Sequence, residues 1–176
     1  MTAINSSGTL LLDTNLLLLL FIGGKDVSLI KKARTLSAYT EEDYELLREF
    51  AELNRFTSLL TTPHIITEVS NLLGKERDDI TRVGREATAE FLARCSERTD
   101  SSAQLASNPE FRRLGITDVA IAVAASTPAF ILTADLPLYV YCASSGLDVA
   151  NFNHPPASGK KSARSDPSTR GPNRGP

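Results

Sequence analysis

The sequence predicts an α/β protein built on a parallel sheet that is covered on both faces. Short apolar runs recur at 9–12, 58–61 and 129–133, the mark of strands buried on both sides. Between them lie longer stretches whose apolar residues fall at helical spacing, joined by short loops. Strands that alternate with helices in this way pair in parallel. No internal repeat interrupts the pattern.

Thr9-Leu10-Leu11-Leu12 reads as the first strand, and a leucine-rich helical run follows directly through Ile22. Thr40-Glu41-Glu42-Asp43 resembles a capping box and opens a helix through about Arg55, with Tyr44, Leu47 and Ala51 along one face. Ser58 to Thr61 gives a second strand, stopped by Pro63. From His64 to Leu73, the positions Ile65, Ile66, Val69, Leu72 and Leu73 describe a helix, and Gly74 is its natural stop. Residues 76–98 are polar, charged and helix-permissive, which predicts one exposed helix. Ile116 to Ala125 is apolar nearly all round and predicts a buried helix. Ala129 to Thr133 is a third strand, followed by a helix to about Ser145 and a last strand at Leu147 to Ala150.

The chain has 176 residues, 41% hydrophobic and 23% charged, with a net charge of −2. That suits one globular domain and excludes a strongly basic nucleic-acid coat. The charge is divided unevenly. Residues 154–176 hold five of the 19 basic side chains but one of the 21 acidic ones, so this stretch carries +4 and residues 1–153 carry −6. With five prolines, three glycines and four serines, 154–176 predicts a disordered basic tail after a domain spanning 1–153. Cys95 and Cys142 are far apart and belong to no Cys/His cluster, so neither zinc nor a disulfide framework is expected. The longest apolar run, Leu16 to Ile22, is far short of the roughly 20 residues that span a bilayer. The stretch Leu10 to Ile22 is very leucine-rich, but no Lys or Arg precedes it and Asp13 sits inside it, against a signal peptide. The expectation is a cytoplasmic protein without a membrane partner.

The chemistry lies where acids interrupt the apolar framework. Asp13 ends the first strand and Asp135 follows the third, and open parallel sheets bind ligands at the carboxyl ends of their strands. Glu68 falls at the edge of the apolar stripe formed by Ile65, Val69 and Leu72, and Asp118 opens the most apolar helix. Singly, each has an ordinary structural reading as a cap, a turn residue or a helix-start acid worth about 0.3–1 kcal/mol. Together, four carboxylates in one pocket would repel one another, and a divalent cation removes the conflict. Oxygen ligands without His or Cys select Mg²⁺ or Mn²⁺ over zinc.

Leu-Leu-Asp-Thr-Asn at 11–15, Pro-His-Ile-Ile-Thr-Glu-Val at 63–69, Gly-Ile-Thr-Asp-Val-Ala at 115–120 and Leu-Thr-Ala-Asp at 132–135 resemble, in order and approximate spacing, the four acidic motifs of PIN-domain nucleases. The resemblance spans about residues 9–152. It implies a three-layer α/β/α fold with a mainly parallel sheet of about five strands. It also implies a metal-dependent endoribonuclease, in many bacterial members the toxin of a toxin–antitoxin pair and often a homodimer. Carried over by position, Asp13, Glu68, Asp118 and Asp135 would be the catalytic, metal-binding carboxylates. Asn15 and Thr133 would be polar neighbours on the substrate side that orient the first and last acids. Relative to compact members, 76–114 is long and charged, and the tail has no counterpart. A metal-activated water would attack the phosphodiester in line, because no side chain in the motifs offers a better base.

Among the cations Arg34, Lys75, Arg82, Arg85, Arg112 and Arg113, the last two precede the Asp118 motif and are candidates for RNA contact. His64, one helical turn before Glu68, reads as a partly exposed structural histidine. Two other functions fit the pattern less well. A binding module of the same fold, holding RNA or a protein without cutting, need not keep all four acids. A phosphatase with Asp13 as nucleophile would want a second acid where Asn15 stands.

Overall fold

The computed structural model describes residues 8–153; the expected tail at 154–176 lies outside them. Five strands form one sheet: β1 (Thr9–Leu12), β2 (Ser58–Thr61), β3 (Ser96–Glu97), β4 (Phe130–Thr133) and β5 (Val149–Asn151). Their order is β3-β2-β1-β4-β5, and every pairing is parallel. Seven helices connect them: α1 (Thr14–Lys25), α2 (Glu41–Leu53), α3 (Pro63–Leu73), α4 (Asp78–Leu92), α5 (Ser102–Ala106), α6 (Phe111–Ala124) and α7 (Leu136–Ser144). Helix α1 packs with α2, α3 and α4, and α6 packs with α5 and α7. The chain steps outward from β1 to β3, then returns past β1 to β4 and β5, so right-handed crossovers place these two groups on opposite faces. The result is a three-layer α/β/α fold, and the groups touch where α3 meets α6.

The core explains why the apolar runs are so dense. In the two central strands Leu11, Ile131 and Leu132 are fully buried. Leu16, Leu17, Leu18, Leu19 and Ile22 of α1 are buried on successive turns, because this helix lies under α2, α3 and α4 as well as against the sheet. Helix starts are set locally. Thr40 and Asp43 form the expected capping box of α2, and Thr62 caps α3 ahead of Pro63 at its first position. No helix among the described residues is long and apolar enough to cross a membrane.

The predicted exposed helix over 76–98 is corrected. Helix α4 ends at Leu92, and the chain then forms the edge strand β3 at Ser96–Glu97. Helix α4 is also amphipathic rather than wholly exposed, burying Ile80, Gly84, Ala87 and Phe91. A Cβ at Gly84 would collide with the Leu73 side chain, so the glycine is what lets α4 lie close to α3. The last strand begins at Val149 instead of Leu147, since Leu147 is still bonded to the end of α7 through the Cys142 carbonyl.

Candidate functional site

The sheet topology points to one place. Strands β1 and β4 are neighbours, yet their connections leave in opposite directions, so their carboxyl ends flank the point where the strand order reverses. Ligands in open parallel sheets bind at such a crevice. Asp13 is the residue after β1, and Asp135 lies two residues beyond the end of β4. The Asp13 N–H continues the strand pairing by donating to the Leu132 carbonyl at 3.2 Å.

Both acids double as helix N-caps, which fixes where their carboxylates sit. Asp13 Oδ1 accepts from the Leu16 N–H at 2.9 Å, at the start of α1. Its Oδ2 accepts from Thr133 Oγ1 at 2.6 Å and from the Ala134 N–H at 2.7 Å. Asp135 Oδ1 accepts from the Leu138 N–H at 2.7 Å, capping α7. The Thr133 hydroxyl also accepts from the Asp135 N–H at 2.9 Å, so one side chain ties the two strand-end acids together. Thr133 is 0% exposed. It reaches both acids from below, where the sequence reading has it as a neighbour that orients them.

Glu68 and Asp118 come from the two helices that meet at this edge. Glu68 is exposed on α3, and its Oε2 accepts from Thr14 Oγ1 at 3.1 Å. Asp118 lies on α6 just after a break at Gly115, whose φ of 83° is open to glycine at little cost. That break separates a first turn carrying Arg112 and Arg113 from the buried part of the helix, and Asp118 stands in its first turn. Among the described residues Asp118 has no hydrogen bond or ion pair.

The electrostatics bring the four acids into one group. Burial pushes the Asp118 carboxyl up to about 7, and the charges of Asp135, Asp13 and Glu68 push in the same direction. Burial also raises Asp13, against the lowering effect of the Thr133, Leu16 and Ala134 donors, and Asp135 adds to the rise. Burial and the Asp118 charge together raise the Cys142 thiol, on the neighbouring α7, to about 12. None of the ion pairs among the described residues involves any of the four acids. Negative charge gathers here, and among the described residues no lysine or arginine pairs with it.

A hard divalent cation fits this donor set in type and in charge: carboxylate oxygens alone, with Asp13 and Asp118 raised by burial and by neighbouring acids. Among the described residues, no three His, Cys, Asp or Glu side chains already converge tightly enough to hold an ion. The match is one of chemistry and placement.

The remaining sequence candidates divide clearly. Asn15 is exposed and is not among the donors to Asp13, so it does not orient that acid. Arg113 is paired with Glu110 at 2.6 Å, while Arg112 is exposed and free of partners among the described residues. Arg82 pairs with Glu86, and Arg34 donates to the Lys75 carbonyl. His64 is half-buried at the start of α3, and its Nδ1 is buried with no hydrogen-bond partner. Thr14 joins the site only in the fold, since its partner Glu68 lies 54 residues away.

No family model, curated protein or solved structure matches this chain.

Proposed function

We propose that the protein is a metal-dependent phosphodiesterase of the PIN type that hydrolyses RNA. Asp13, Glu68, Asp118 and Asp135 would hold Mg²⁺ or Mn²⁺. The observation that carries this reading is the gathering of four carboxylates at the strand-order reversal, with no cationic side chain paired to them among the described residues. When bound, the ion supplies Lewis acidity at the phosphoryl oxygens and a water of lowered pKa for in-line attack.

The chain's own groups prepare that chemistry. The Leu16, Thr133 and Ala134 donors keep Asp13 in one orientation, so its remaining lone pairs have a fixed direction. Asp135 is held by the first turn of α7. The Asp118 side chain makes no hydrogen bond or ion pair among the described residues, so none has to break for it to ligate an ion. Arg112 lies beyond the Gly115 break as an unpaired cation for the RNA backbone. As a toxin of this type, the protein would have a small antitoxin partner, and a neighbouring reading frame is the cheapest sign of one.

The test is direct. Purified protein in Mn²⁺, given structured and unstructured RNAs, is expected to cut at least one of them. Asp13→Asn and Asp118→Asn are expected to lose that cutting by orders of magnitude while still binding RNA. Wild-type protein that cuts no more than Asp13→Asn would overturn the proposal.

A further inference from the structure

The acids of the crevice are not held alike. Three donors fix the Asp13 carboxylate and one backbone N–H fixes Asp135, all from the ends of β1 and β4 or the helices that follow. Glu68 is different. It stands exposed on α3, on a long side chain, and its one tether among the described residues is the Thr14 hydroxyl, which donates to Oε2 at 3.1 Å. Thr14 is only 6% exposed, and it is the first residue of α1, directly after Asp13. A β-branched side chain in a helix has few rotamers, so its hydroxyl is aimed in advance. A hydrogen bond to an ionised acceptor is the stronger kind.

We infer that Thr14 is a positioning residue for the site: it draws Glu68 from α3 to the start of α1, beside Asp13, and leaves Oε1 as the oxygen donor. The inference rests on the metal reading above and deepens it. Without the hydroxyl, Glu68 stays on α3 but swings through solvent, and the crevice loses a placed ligand rather than a charge.

Titration calorimetry with Mn²⁺ on the intact protein tests this, using wild type, Thr14→Val, Thr14→Ser, Glu68→Gln and the Thr14→Val/Glu68→Gln double variant. Thr14→Val is expected to weaken Mn²⁺ binding about tenfold, as for other groups that orient a metal ligand, and Thr14→Ser is expected to restore it. The double variant is expected to bind no more weakly than Glu68→Gln alone, because both substitutions remove the same contact. The metal-free thermal midpoint of Thr14→Val should stay near wild type; if that variant is unfolded, Thr14→Ala takes its place in the same comparisons. Wild-type affinity in Thr14→Val, or losses that multiply in the double variant, would overturn the inference. Wild-type protein that takes up no Mn²⁺ would overturn the metal reading first, before any variant is compared.

Discussion

Helix α1 begins and ends at acids, and the two ends treat them in opposite ways. At its carboxyl end, Asp26 accepts from the Ser28 N–H at 2.9 Å, and the Ser28 hydroxyl and N–H pull its carboxyl below the ordinary range. Nearby, Glu90 of α4 meets Lys25 Nζ at 2.6 Å, and that hydrogen bond and charge lower it as well. At the amino end, Asp13 has more donors than either and is still raised, because burial outweighs them. Asp118, across the crevice, is raised to about 7. Hydrogen bonds orient an acid, but they do not replace the counter-charge that burial and like neighbours make necessary. The first pair of acids is satisfied by the protein itself, and the second pair meets no cationic side chain among the described residues.

Three substitutions sharpen that contrast. The largest loss of stability is expected for Thr133→Val, which takes a donor from a buried carboxylate at a cost of about 1–3 kcal/mol. A calorimetric midpoint lowered by roughly 2–4 °C per kcal/mol would show it. The loss should shrink as the pH falls and Asp13 takes up a proton, and Thr133→Ser should recover most of it. A Thr133→Val midpoint equal to wild type at neutral pH would mean that the Asp13 contact is not holding an ionised group.

Asp118→Asn should act with the opposite sign. An unfolded aspartate loses its proton near 3.8 and the folded one near 7, so the folded state holds the extra proton in between. Stability from this group is therefore present at low pH and lost as the pH rises through that window. The asparagine variant removes the loss, so it should gain on wild type from acid to neutral pH and level off above. Thermal midpoints across pH 4–8 that run parallel for the two proteins would contradict the crowding of the four acids. Smallest of all, Glu90→Gln breaks an exposed pair at the far end of α1, and it should leave the midpoint and the response to Mn²⁺ unchanged at moderate salt.

What could be read from the chain follows the same division between buried and exposed. Strands β1 and β4 are covered on both faces, so Leu10–Leu12 and Phe130–Leu132 print as apolar runs, and each acid after them stands out. Strand β3 is two exposed residues at the edge of the sheet, too short and too polar to show a period, and it was absorbed into a helical stretch. The buried face of α4 includes Gly84 and Ala87, whose packing value comes from closeness rather than bulk, so its stripe looked polar. The apolar run from Ile116 marks the helix after the Gly115 break, while the turn before it, with Arg112 and Arg113, shows no apolar stripe. Thr14 escaped notice because its partner lies 54 residues away, and nothing local in Leu-Leu-Asp-Thr-Asn tells which acid a hydroxyl will meet.

The thermal midpoint of the wild-type protein in Mn²⁺ and in chelator tests the central claim most directly. An ion that binds only the folded crevice stabilises by mass action, by about 2.7 kcal/mol at a hundred times its dissociation constant. The midpoint is expected to rise in millimolar Mn²⁺, and the rise to be largely lost in Asp13→Asn and Asp118→Asn. Equal wild-type midpoints in Mn²⁺ and in chelator would contradict the claim that these four carboxylates form a cation site.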